Sequence, residues 1–368
     1  MSEVTAQLST LVTTGVVPGA QYVACTASGE IEACAAGWAD QGLRAPMTLE
    51  TTLMAYSMTK TVTAIAVLQL VDTGQLDVDA RVASLLPDSP YGSDLCVAHL
   101  LAHTGGLPNP LPLRWVHPLA AHAAFDERHA LANVYRAHRH LSRRPGERYA
   151  YSNIGYWMLG AIIERVAGVT FASYVTEHIL QRLQIPPQEL GFDIVDARQH
   201  AAGYVERWSF ANVLGRWLID PALLGGYEHG WRRILPHYPN GPAFGGLIGT
   251  ARAFARLLSD LLSPTPRLLG ERAGRLLYER QRAGGRETEM TLGWHVANEH
   301  ADEVFFKEGG GAGFHCVMRL HRRRGVGSVL MTNATTVDVK ACAASLDAIA
   351  FGERTAGRPN TSTSRADA

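Results

Sequence analysis

The chain has 368 residues, 46% hydrophobic and 18% charged, which is enough apolar material for a large core and too little bias for a disordered polymer. Its 34 Lys and Arg balance 34 Asp and Glu, so no bulk field exists to hold nucleic acid or an acidic membrane. The five cysteines, Cys25, Cys34, Cys96, Cys316 and Cys342, are odd in number, form no CxxC pair and read as reduced thiols rather than a disulfide framework or zinc site.

Along the chain, Val4, Leu8, Leu11 and Val12 recur at helical spacing and predict an amphipathic helix ending before Gly15 and Pro18. Apolar stretches over Gln21 to Thr26 and Ile31 to Gly37, separated by Ser28 and Gly29, predict a hairpin. From Ser57 to Asp72 the pattern is that of a buried central helix closed by Gly74. Helical patterns then dominate at Cys96 to Ala102, Arg128 to His140, Asn153 to Ala167, Phe171 to Leu183 and Thr250 to Leu262. Short alternating runs follow, at Met290 to Ala297, Glu303 to Lys307, Phe314 to Leu320 and Val326 to Thr332, before a last helix from Val337 to Phe351.

Strands at both ends with helices between them predict an α+β protein: an antiparallel sheet flanked by helices, beside a mainly helical lobe. The expected division is a discontinuous sheet domain, 1–80 with 245–352, a helical lobe over 81–244, and a disordered polar tail over 353–368. The N-terminal stretch lacks a basic leader, and no run of about 18 apolar residues occurs, so a soluble, cytoplasmic protein with no membrane partner is expected.

Three segments carry chemistry. Ser57, Met58, Thr59 and Lys60 form SxxK, and residues three apart on a helix share a face, so the amine reaches the hydroxyl. Lysine activates serine only when neutral, a state favoured by apolar burial and by the positive end of a helix. A bare SxxK is more often a surface helix. Here only Lys60, Lys307 and Lys340 are lysines in an arginine-dominated chain, and Lys60 sits in an apolar helix where an amine is costly.

The second segment is Tyr151, Ser152 and Asn153 at the entrance of a helix, where a phenol can relay a proton and an amide can donate to a carbonyl. A rival Tyr238-Pro239-Asn240 is followed by Gly241 and reads as a turn. The third is Lys307-Glu308-Gly309-Gly310-Gly311, either a plain Gly-rich hairpin or a place where substrate lies against backbone amides.

Together, and with LLAHTGGLP at Leu100 to Pro108, PGERYAYSNIGYWMLG at Pro145 to Gly160, GGGAGF, and VLMTN at Val329 to Asn333, these segments resemble the serine β-lactamase and penicillin-binding-protein superfamily. The likeness runs from about residue 10 to 350 and leans toward class C β-lactamases, D-alanyl-D-alanine carboxypeptidases and family VIII esterases. It implies Ser57 as acylated nucleophile, Lys60 as its base and Tyr151 as the proton shuttle. Asn153, Lys307, Glu308 and Gly309 would contact substrate, and the N–H groups of Ser57 and Gly310 would form the oxyanion hole. Penicillin-recognising members have Thr or Ser where this chain has Glu308, a carboxylate that would repel the β-lactam carboxylate unless protonated or neutralised by Lys307.

The expected activity is therefore metal-free ester hydrolysis on a small-molecule ester or amide, with no cofactor and weak or no β-lactamase activity. A transacylase, or a non-turnover acyl sensor, is the alternative. Trp115, in a Pro-rich loop, is a candidate for the pocket rim; the aromatics from Tyr204 to Phe244 wall a pocket or pack a core. The histidines offer no metal-ligand spacing, His103 reads as structural, and Arg319, Arg322, Arg323 and Arg324 read as a solvated basic turn.

Overall fold

The computed structural model describes residues 1–110, 115–207, 220–299, 302–335 and 337–352. The tail over 353–368 and the rings of Trp208, Phe210 and Trp217 lie outside those residues.

Seven strands, Gly19–Thr26 (β1), Gly29–Asp40 (β2), Ala45–Pro46 (β3), His295–Glu299 (β4), Asp302–Gly311 (β5), Phe314–His321 (β6) and Val326–Thr332 (β7), form one antiparallel sheet in the order β4-β5-β6-β7-β1-β2-β3. The two ends of the chain meet at its centre, with β1 pairing β7 from Ala20↔Thr332 to Thr26↔Val326. Side chains alternate between faces along each strand. Tyr22, Val317 and Leu330 pack on one face against Val4 and Leu8 of helix Glu3–Thr13 (α1) and against Val339 and Leu346 of a C-terminal helix. Val23, Met318 and Val329 pack on the other, in a cluster that runs without a break through helices Thr59–Asp72 (α2), Asn153–Ala167 (α3) and Ala251–Leu262 (α4). The C-terminal helix, Val339–Ala350, is α5.

Helix α2 is buried almost all round, from Thr59 to Val71, and so shows no polar face. Helix α3 is capped at its start by Ser152, whose Oγ accepts from Gly155 N–H, and ends on Gly168 in the left-handed region (φ 73°).

Several elements differ from the sequence reading. Helix α2 begins at Thr59, and Ser57 sits in a preceding 3-10 turn over Tyr56–Met58, entered through Tyr56 at φ 43°. Gly309, Gly310 and Gly311 belong to β5 rather than to a turn. They extend the strand because a Cβ on Gly309 would stand 2.0 Å from the Ala55 carbonyl oxygen and one on Gly311 2.4 Å from the Tyr56 ring, so only glycine lets β5 lie against the serine turn. The middle of the chain also holds strands. Val116–Pro118 pairs with His237–Pro239, and Gly203–Glu206, Trp231–Ile234 and Leu224–Glu228 form a small sheet.

Arg319 is not part of a solvated turn. It is buried on β6, with Nε donating to Asp347 Oδ2 (2.7 Å) and its terminal nitrogens to Glu299 (2.6 and 3.2 Å). Asp347 on α5 also accepts from the Tyr22 hydroxyl (2.8 Å), tying α5 to the sheet centre. Removing one partner of a buried pair strands the other charge. Asp347→Ala is therefore expected to lose about 3 to 5 kcal/mol in equilibrium denaturant unfolding; a loss below about 1 kcal/mol would show the network to be dispensable.

Candidate active site

Ser57, at the mouth of the cleft where α2, α3 and β5 converge, is placed by three features of local sequence. The 3-10 turn projects it ahead of α2, the glycines of β5 let the sheet edge reach the turn, and Ala55 N–H donates to the Leu247 carbonyl (2.9 Å). Lys60 follows one turn later, fully buried, with Nζ 2.8 Å from Ser57 Oγ. Its other two contacts are to acceptors, Asn153 Oδ1 at 2.8 Å and the Phe244 carbonyl at 2.7 Å.

That count matters for the proton. Burial, and secondarily the charge of Lys307, pull the Lys60 amine well below its ordinary value of 10.5. A neutral amine has two N–H bonds and one lone pair. With both N–H groups given to Asn153 and Phe244, the lone pair faces the Ser57 hydroxyl, the geometry a general base requires. The Tyr151 hydroxyl donates to the same Ser57 Oγ at 2.8 Å. Burial pushes its pKa well above 10.0, against the Ser57 hydrogen bond, so Tyr151 is a phenol at neutral pH and offers a proton rather than a base.

Lys307, on the α2-facing side of β5, is fully buried, and its Nζ lies 5.5 Å from the Tyr151 ring centroid and 5.8 Å from that of Tyr156. Burial brings its pKa down to about 7. The next residue points to the other face. Glu308 accepts from His315 Nε2 at 2.7 Å and sits 3.2 Å from Lys340 Nζ. The His315 hydrogen bond holds its carboxyl below the ordinary range despite partial burial. Lys307 therefore does not neutralise Glu308. Strand alternation separates them, and Lys340 supplies the cation beside Glu308 while His315 hydrogen-bonds to it.

A cavity of about 90 Å³ opens beside Ser57, walled by Tyr56, Trp115, Val116, Pro239, Phe244 and Ala312, with Asn153, Gly245, Gly310 and Gly311 completing it. No Asp, Glu, Lys or Arg lines it among the described residues. The structure thus brings Ser57, Lys60, Tyr151 and Asn153 together, with Gly310 and Trp115 on the same cavity. Glu308 and Gly309 do not line it. Gly309 instead packs its α-carbon against the serine turn.

Sequence reasoning missed several members. Asn109 Oδ1 accepts from Asn153 N–H (3.1 Å) and Nδ2 (3.3 Å), which leaves Asn153 Oδ1 for Lys60. Its only signal was its place right after LLAHTGGLP. The Phe244 carbonyl had none. His103 is buried with its Nδ1 accepting from Ser152 N–H (3.2 Å) and its ring 4.3 Å from that of Tyr151, a packing position for the tyrosine. Of the described aromatics between Tyr204 and Phe244, only Phe244 reaches the cavity.

Residues 4–351 match the family model described as Beta-lactamase. The chain belongs to that family. Among curated relatives it is 26% identical over 338 residues to penicillin-binding protein 4 of Amycolatopsis lactamdurans, covering 86% of this chain and 81% of that one. It is 28% identical over 252 residues to acyltransferase calJ of Penicillium decumbens, covering 61% and 55%. Protein flp of Staphylococcus aureus is 28% identical over 155 residues, 40% of this chain, and the match spans only 30% of flp. Among solved structures, D-amino acid amidase from Ochrobactrum anthropi superposes with a TM-score of 0.80 at 19% identity, covering 95% of this chain and 99% of the amidase. The penicillin-binding protein homologue from Pyrococcus abyssi gives 0.76 at 21%, covering 95% and 77%. These likenesses establish a β-lactamase/transpeptidase-like fold, and the family implies acyl-enzyme serine hydrolase chemistry.

Among the described residues no single helix is long and apolar enough to cross a membrane.

The state of the Lys60 amine makes two tests. Lys60→Arg keeps a cation but cannot present a lone pair, so kcat/KM is expected to fall on the order of a hundred- to ten-thousand-fold, the usual worth of a general base. In the wild type, activity is expected to vanish as pH falls through the Lys60 pKa, because the protonated amine cannot accept. The acidic limb of the profile therefore lies well below 10.5, and a limb near 10.5 would sink the neutral-amine assignment.

Proposed function

We propose that the protein hydrolyses carboxylic esters through an acyl-enzyme on Ser57. The observation that carries this reading is the convergence of an amine and a phenol on one half-buried hydroxyl, Lys60 Nζ and Tyr151 Oη each 2.8 Å from Ser57 Oγ, beside a cavity with no ionised wall among the described residues.

Lys60 takes the Ser57 proton as Oγ bonds to the substrate carbonyl carbon. Tyr151 gives its proton to the departing alkoxide, and the Lys60 ammonium returns a proton to Tyr151 through the site. Water then repeats the sequence on the acyl-enzyme, releasing the acid and free Ser57. The N–H groups of Ser57 and Gly310 are the proposed oxyanion donors, each worth about 2.7 to 4 kcal/mol in such reactions. Asn153 acts by orienting Lys60, and Lys307 supplies a second, partly neutral amine next to Tyr151.

With no ionised side chain among the described residues that line it, the cavity favours neutral acyl groups over those carrying an ion, which would shed water on entering. At the position where a hydroxyl would receive a β-lactam carboxylate this chain has Glu308, whose side chain is held by His315 and Lys340 away from the cavity, and the lack of that hydroxyl supports weak or no β-lactam turnover. Delivery of the acyl group to an amine or alcohol is a second reading, supported by the likeness to acyltransferase calJ.

Intact-mass analysis after a fluorophosphonate probe is expected to show one adduct in the wild type and none in Ser57→Ala. Steady turnover of p-nitrophenyl esters is expected to exceed that of benzylpenicillin. The reverse order would overturn the ester assignment, a single burst without turnover would make the protein an acyl sensor, and amide products in the presence of an amine would make it a transacylase.

A further inference from the structure

Behind the cavity at Ser57 lies a second, larger one of about 180 Å³, with apolar walls from Met54, Ile194, Ile234, Leu235 and Phe314 and the buried ring of His237 at its near end. The two linings meet through a pair of side chains, Tyr56 of the first and His237 of the second. Tyr56 lines the first cavity; its hydroxyl lies 2.8 Å from His237 Nε2 and 3.0 Å from the Ala312 carbonyl, and its ring stands 6.5 Å from that of Phe314. His237 is held in turn by its Nδ1, 2.9 Å from the Leu235 carbonyl. The tyrosine cannot swing toward the sheet, because Gly311 already packs against its ring at a distance no side chain would allow.

Accepting the ester-hydrolase reading of Ser57, we infer that the Tyr56–His237 pair is a partition that sets the depth of the acyl pocket, so that this enzyme selects short acyl chains over long ones. The rear cavity is chain-accepting space that the wild-type enzyme closes off. Its near walls are apolar, and its charged members, Asp40 and Arg233, are bound to each other at 2.6 Å at another part of the lining. An alkyl chain entering from the Ser57 side would therefore meet Phe314 and Met54 without displacing an ion's hydration.

The physical basis is steric exclusion within a packed wall. A methylene that fits a hydrophobic pocket and one that does not differ about 10- to 200-fold in kcat/KM. Shortening the partition removes that discrimination for chains long enough to reach it. The inference concerns which acyl group fits; it does not alter how Ser57 is activated.

The test compares p-nitrophenyl butyrate with p-nitrophenyl decanoate on the full chain, with Ser57 labelling by a fluorophosphonate measured in parallel. The wild type is expected to prefer the butyrate. In His237→Ala the decanoate-to-butyrate ratio of kcat/KM is expected to rise by at least about tenfold. Tyr56→Phe, which removes one oxygen and leaves the ring, provides a milder variant. Its ratio is expected to move in the same direction by a smaller factor, and it carries the test should His237→Ala fail to fold. An unchanged ratio in a variant whose Ser57 is still labelled would overturn the partition. Loss of Ser57 labelling in the wild type would instead overturn the ester-hydrolase reading itself.

Discussion

The chemistry read at this site depends on one costly arrangement: an amine held inside the protein with its pKa pulled well below 10.5. Lys60 is buried among the apolar residues of α2 and α3, and its hydrogen-bond partners among the described residues include no carboxylate. The acceptors around it are uncharged, and beside the Ser57 oxygen they are a side-chain amide and a backbone carbonyl, which satisfy the two N–H bonds of the neutral amine. The remaining lone pair then has one hydroxyl within reach. Arrangements that bring a carboxylate to this amine would restore its proton and abolish the base.

The sheet and the helices serve that constraint in different ways. The 3-10 turn and the first turn of helix α2 supply the serine and lysine at fixed spacing, while α3 brings Tyr151 and Asn153 to its entrance. Strand β5 closes the third side, and its alternation assigns Lys307 to the interior and Glu308 to the opposite face. Glycines at 309 and 311 let that strand approach the serine turn more closely than any other residue would. The network of Tyr22, Arg319 and Asp347 locks α5 on the far face and keeps the central strands in register.

Much of this was legible in the linear chain, for identifiable reasons. The SxxK spacing, the scarcity of lysine and the Tyr-Ser-Asn at a helix entrance rest on local geometry, which i, i+3 neighbours and capping residues reveal directly. The terminal strands were legible through alternation, and β7 was read to the residue, Val326 to Thr332. What escaped the reading depends on partners remote in sequence. Asn109, Phe244 and His237 touch the site through a side-chain oxygen, a backbone oxygen and a ring behind the wall, and none carries a pattern of its own. Arg319 looked like one of four surface arginines because nothing nearby in the chain announces Glu299 or Asp347.

By itself, then, the sequence pointed to the α+β arrangement, which the fold bears out, and singled out Ser57, Lys60 and Tyr151, which the structure brings together, since each is written in spacing over a few residues. Only the tertiary structure decided the downward pull on the Lys60 pKa, the side of the sheet taken by Glu308 and the walls of the cavity beside Ser57. Those properties arise from burial and from contacts between segments remote in the chain, such as Lys60 with Phe244, 184 residues apart, and Tyr56 with Ala312, 256 apart, and desolvation is a property of the assembled interior rather than of any stretch of chain.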